Sequence, residues 1–128
     1  NLATASAIAY YLAKTRVAHL IFNPVSGQRD AKQDLSLIRQ FLNPHFSLKI
    51  HQTTPEIDAG ELAKTAISAH ADLVIAAGGD GTVSAVAGSL IGTGIPLGII
   101  PRGTANAFAV ALKISRLLPI RWQLGLLG

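Results

Sequence analysis

Leu73-Val74-Ile75-Ala76-Ala77-Gly78-Gly79-Asp80-Gly81-Thr82 is the stretch that decides the fold. Leu73 to Ala77 is apolar without interruption, as in a strand covered on both faces. It delivers the chain into a glycine-rich turn. Val83, Val86, Ala87 and Leu90 then recur at helical spacing. A buried strand, a tight turn and an immediate helix form the repeating unit of a parallel α/β sheet.

The same alternation extends in both directions. Val17 to Phe22 is an apolar run of strand length that stops at Asn23-Pro24, with Ser26-Gly27 completing a turn. From Asp30 onward, Ala31, Leu35, Ile38 and Leu42 have helical spacing, and Asn43-Pro44 ends that helix. Phe46, Leu48 and Ile50 alternate with Ser47 and Lys49, a strand with one wet face. Thr54 reads as an N-cap with Pro55 in the first helical position, and Ala59, Ala63, Ala66, Ile67 and His70 share the apolar face that follows. Leu97 to Ile100 is another buried strand. It leads to Pro101-Arg102-Gly103 and to Thr104, which caps a helix with Phe108, Ala109 and Leu112 inward. The expected fold is α/β: a three-layer, open, mostly parallel sheet flanked by helices.

The 128 residues suit one domain, here 17–112, preceded by a helix or linker at 1–16 and followed by a tail or connector at 113–128. With 49% apolar and 14% charged residues, the chain has a core and is not disordered. It has no Cys, which excludes disulfide scaffolds, thiolate-bound zinc and thiol catalysis, and suits the cytosol. It also has no Met, and the expectation is a piece of something longer. The net charge of +4 is spread too thinly for a nucleic-acid stripe, but fits phosphorylated ligands or an anionic membrane surface. No apolar run reaches the roughly 18–20 residues of a membrane span.

In open parallel sheets, ligands bind beyond the carboxyl ends of the strands. Three turns lie at such ends here, at 23–27, 78–82 and 101–106, and eight of the twelve glycines fall between 78 and 103. Glycine backbone at a helix N-terminus makes a phosphate cradle. A carboxylate among phosphates repels them unless a metal or a proton transfer gives it a task, so Asp80 points beyond simple binding. The dinucleotide fingerprint and the Walker A pattern are both absent. The four His are scattered without metal-ligand spacing, Asp30 and Asp34 read as a solvated helix face, and Arg102 reads as a surface residue.

Three segments together resemble the diacylglycerol kinase catalytic domain family, which includes bacterial lipid kinases and the sphingosine and ceramide kinases. They are Phe22-Asn23-Pro24-Val25-Ser26-Gly27, Gly78-Gly79-Asp80-Gly81-Thr82 and Ile100-Pro101-Arg102-Gly103-Thr104-Ala105-Asn106-Ala107-Phe108-Ala109. The resemblance implies an ATP site. Asn23, Pro24, Val25, Ser26 and Gly27 would contact ribose and phosphates, and Thr53 would bind ATP at the end of the second strand. Gly78, Gly79, Gly81 and Thr82 would cradle phosphates. Gly103 and Thr104 would join them, with Asn106 bracing the loop. Asp80 would serve catalysis through Mg2+ or the acceptor hydroxyl. The implied activity is transfer of the ATP γ-phosphoryl group to a lipid hydroxyl in phospholipid biosynthesis. The implied enzyme is cytoplasmic and peripheral at a membrane surface, and it needs a C-terminal domain absent from this chain. Nucleic acid is not an expected partner, and a homo-oligomer stays open.

The chain departs from the family pattern at Ser84 and Ala85, where the family usually has Asn-Glu, and at Ala107, which is often Asp. Two alternatives accompany the kinase reading. NAD kinases share Gly-Gly-Asp-Gly-Thr but lack the third segment. A non-catalytic nucleotide-binding regulatory module would tolerate the departures.

Overall fold

The computed structural model describes residues 16–25 and 30–102. Over these residues the chain runs β1 (Arg16–Phe22), α1 (Ala31–Leu42), β2 (Phe46–Gln52), α2 (Ala59–Ser68), β3 (Leu73–Gly78), α3 (Asp80–Leu90) and β4 (Leu97–Pro101). The four strands form one parallel sheet in the order β2-β1-β3-β4. The expected open α/β sheet is therefore what the chain adopts. The expected helices at 2–15 and after Thr104, and the tail at 113–128, lie outside the described residues.

Period-two side-chain alternation divides the core into two layers. Ala18, Leu20 and Phe22 of β1 join Leu73, Ile75 and Ala77 of β3 beneath Ile38 and Leu42 of α1. Ile21, Val74 and Ala76 point the other way, against Ala59, Ala63 and Ala66 of α2 and Val86 and Leu90 of α3. All six residues of β3 are buried, which explains the unbroken apolar run. Asp72 clips the start of β3 to β1: its carboxylate accepts from the Val17 N–H at 2.8 Å, and its own N–H donates to the Val17 carbonyl at 2.9 Å.

The start of α2 differs from the expectation. Thr54 does not cap it. Its hydroxyl accepts from the N–H groups of Glu56 and Ile57, at 3.2 and 3.0 Å, and closes a separate turn. The cap is Asp58, which accepts from the Glu61 N–H at 2.8 Å, so the helix begins at Ala59. His70 also leaves the helix face. It takes a left-handed conformation (φ 57°), while the N–H of Ala71 reaches the Ala66 carbonyl and that of His70 reaches Ile67. This is a Schellman end, with histidine where glycine is usual.

His19 and His51 are not isolated. On neighbouring strands their rings stack at a centroid distance of 5.1 Å, with His19 Nδ1 and His51 Nε2 2.8 Å apart. Burial, followed by the charges of His51 and Lys49, holds the His19 pKa below its ordinary value, and burial does the same for His51. The unfolded chain therefore binds these protons more tightly. The stabilising contribution is present above about pH 6.5 and is lost as pH falls toward the lower folded-state values. The melting temperature is expected to drop between about pH 7 and about pH 5.5. The His19→Gln/His51→Gln double variant is expected to lose much of that slope. A wild-type profile that is flat across the interval would contradict the pairing.

Candidate functional site

Strand order sets where the site lies. After β1 the chain crosses to β2 on one side. After β2 it crosses back over β1 to β3 on the other. The carboxyl ends of β1 and β3 thus flank a topological switch point, where a crevice opens between diverging connections. The ladder continues past the strand ends: Asn23 N–H donates to Ala77 O at 2.9 Å, Thr53 N–H to Phe22 O at 3.0 Å and Arg102 N–H to Gly78 O at 3.2 Å. Three of the chain's polar turns are held in register along one sheet edge.

A cleft of about 450 Å³ lies there, lined by Asn23, Val25, Thr53, Thr54, Pro55, Asp58, Ala59, Gly81, Thr82 and Ala85. Asn23 and Thr82 are tied across its floor. Asn23 Nδ2 donates to Thr82 Oγ1 at 3.3 Å, and Asn23 Oδ1 accepts from the Val25 N–H at 3.1 Å in an Asx turn. These two side chains shape the turns through each other.

The glycines divide by role. A Cβ on Gly78 would stand 2.7 Å from Thr82 Oγ1, so glycine there permits the close approach of strand end and helix. A Cβ on Gly79 or Gly81 would meet nothing within 4 Å, and Gly79 has an extended backbone that any residue adopts. Packing does not require glycine at either position, and the space they leave is open. Gly79 is also the N-cap of α3 and offers no side chain to the first-turn N–H groups. Among the described residues no side chain caps these amides, and an uncapped first turn at the positive end of the helix dipole suits phosphate oxygens.

Asp80 is exposed at the first residue of α3, one residue before the cleft-lining Gly81-Thr82 pair, and does not itself line the cleft. Pro24 is half-buried behind the 23–25 turn. Ser26, Gly27, Gly103, Thr104 and Asn106 lie outside the described residues. Among the described residues no cluster of three or more His, Asp or Glu could hold a metal by itself. Magnesium usually takes one or two carboxylates plus the phosphates of its nucleotide, so a single exposed carboxylate such as Asp80 could hold it only together with a bound nucleotide.

Two expectations are overturned beside the cleft. Asp34 is not on a solvated face and Arg102 is not at the surface. Their side chains are 3% and 1% exposed and form an ion pair at 3.1 Å. Asp34 sits on the same helical stripe as Ile38 and Leu42, so its burial was readable from spacing; nothing local marked Arg102 as its partner. Thr54, Pro55, Asp58, Ala59 and Ala85 also line the cleft, although none of them is among the expected nucleotide contacts.

An open parallel sheet with helices packed on it and a topological switch point defines the doubly wound α/β class, in which ligands bind beyond the carboxyl ends of the strands. Within that class, the chain belongs to the diacylglycerol kinase catalytic domain family, which matches residues 17–124. It is 41% identical over 102 residues to a diacylglycerol kinase of Bacillus subtilis (strain 168), covering 77% of this chain and 34% of that protein. It is 48% identical over 130 residues to an uncharacterized protein of Synechocystis sp. (strain PCC 6803), covering 93% of this chain and 30% of that protein. A crystal structure of a diacylglycerol kinase from Bacillus anthracis str. Sterne superposes with a TM-score of 0.67 at 31% identity, covering 79% of this chain and 43% of that one. The chain spans about a third of the length of these curated relatives.

Proposed function

We propose that this chain is the ATP-binding half of a lipid kinase, and that it transfers the γ-phosphoryl group to a lipid hydroxyl with a second domain completing the active site. The observation that carries this reading is the uncapped start of α3, with open space at Gly79 and Gly81, beside a cleft at the switch point of a diacylglycerol kinase fold. The first-turn amides of α3 receive phosphate oxygens. Val25, Pro55, Ala59 and Ala85 give the cleft apolar wall for a base or sugar. Asp80 either accepts the proton of the attacking hydroxyl, or supplies a carboxylate to nucleotide-borne magnesium, which would neutralise the phosphate charge while a base of the second domain takes that proton. The acceptor oxygen forms a bond to the γ-phosphorus, and the bond from that phosphorus to the bridging oxygen of ADP breaks. The acceptor lies in a membrane surface, which a net charge of +4 favours where the lipid is anionic. No described helix is long and apolar enough to cross a membrane.

The test is Gly79→Asp in the full-length protein. A Cβ at this position meets no atom within 4 Å and the backbone is extended, so the fold is expected to survive. Its carboxylate stands among the amides proposed for phosphate, so affinity for magnesium-ATP is expected to fall tenfold or more, at least ~1.4 kcal/mol. Calorimetry reads the affinity, and radiolabelled phosphoryl transfer to diacylglycerol vesicles reads the reaction. Unchanged ATP affinity in a folded variant would move the phosphates elsewhere.

A further inference from the structure

Arg102 does not line the cleft, yet it is bonded to several parts of the framework around it. Its Nε and Nη2 donate to Asp34 Oδ2 at 3.2 and 3.1 Å. Its Nη1 donates to the Asn23 carbonyl at 2.6 Å, and its guanidinium lies 4.5 Å over the Phe22 ring. Its backbone N–H reaches the Gly78 carbonyl. One side chain on the exit of β4 thus grips the exit of β1 and helix α1, while its own backbone is tied to the exit of β3. Asn23 passes the connection on to Thr82, at the start of α3. A buried ion pair is a poor device for stability alone, because well-packed apolar residues of similar volume often serve as well or better. What a planar guanidinium adds is direction: fixed donors that orient a carboxylate and a carbonyl at once.

We propose that Arg102 is a positioning residue of the nucleotide cleft. Anchored by Asp34, it fixes the Asn23 carbonyl and so sets the 23–25 turn and its link to Thr82. The proposal rests on the nucleotide reading above. Apolar replacement of the pair can restore packing, but it cannot orient the carbonyl. The two roles therefore separate experimentally.

The experiment uses the full-length protein with magnesium-ATP and diacylglycerol vesicles. Melting temperature, ATP Kd by calorimetry, and ATP KM and kcat are measured for wild type, Arg102→Lys and the double variant Asp34→Leu/Arg102→Met. Lysine keeps the charge but loses the fork, and ATP Kd and KM are expected to rise about tenfold with kcat within about threefold. The double variant is expected to melt near the wild-type temperature while keeping the weakened ATP Kd and KM. A double variant with restored melting and wild-type ATP affinity would overturn the proposal and leave the pair as packing only. If the double variant melts low, Arg102→Lys decides below its own melting temperature, and wild-type Kd there overturns the proposal. Wild-type protein that binds no ATP refutes the nucleotide reading, and the positioning role falls with it.

Discussion

Asp34→Ala is expected to cost about 3–5 kcal/mol of folding stability, the usual penalty for removing one partner of a buried ion pair. The substitution takes away the carboxylate facing a guanidinium whose side chain is 1% exposed. Asp34 Oδ2 accepts from both Nε and Nη2 of that guanidinium, at 3.2 and 3.1 Å, so the substitution removes two charge-assisted hydrogen bonds at once. Domains are stable by only about 5–15 kcal/mol, so the variant should be visibly compromised in urea or thermal unfolding. Asp30→Ala is the matched control. Asp30 is one turn away, exposed, and caps α1 by accepting from the Lys32 N–H at 2.9 Å, so its loss should cost about 1 kcal/mol. Equal, small penalties for both would mean that Arg102 finds water or another anion in solution.

Asp80→Asn in the full-length protein is expected to lower kcat by a hundredfold or more, about 2.7 kcal/mol of transition-state stabilisation, while ATP still binds. Asp80 is exposed at the positive end of α3, where a carboxylate favours the helix. It also stands beside the amides proposed for phosphate, where like charges about 4 Å apart repel by roughly 4 kcal/mol at an effective dielectric of ~20. Removing its charge should leave ATP affinity unchanged, or tighter without magnesium. Measuring kcat and ATP Kd with and without the metal distinguishes the outcomes. Near-wild-type kcat would make Asp80 a helix-start residue and favour a non-catalytic module.

The architecture was legible wherever burial imposes a simple pattern. β3 is covered on both faces and reads as unbroken apolar sequence; β2 is an edge strand and reads as alternation. Local signals failed where two of them competed. Thr54-Pro55-Glu56 and Asp58 with Glu61 are both valid helix starts in sequence. Only the packing of Ala59, Ala63 and Ala66 against the sheet selects the second. Helical spacing carried two residues past the end of α2, to His70, because a histidine with positive φ gives no warning that glycine would have given. At the site, Asn23, Gly81 and Thr82 were readable as strand-end turn residues and Thr53 only through the family resemblance, and all four line one cleft. The partnership of Arg102 with Asp34 was not readable, since the two residues are 68 positions apart and only the finished sheet brings them together.

That separation orders events in time. β1 is the first described strand to be made, and both of its sheet neighbours, β2 and β3, follow it in sequence. The Val17 N–H waits for a carboxylate 55 residues downstream, and the Asn23 carbonyl waits for a guanidinium 79 residues downstream. Ribosomes add about 5–20 residues per second, so β1 spends seconds as an apolar strand without its β3 neighbour. Non-local parallel pairing is also slow to form once the segments exist. Among the described residues, the framework around the cleft is therefore closed last, when β4 brings Arg102 to the Asn23 carbonyl.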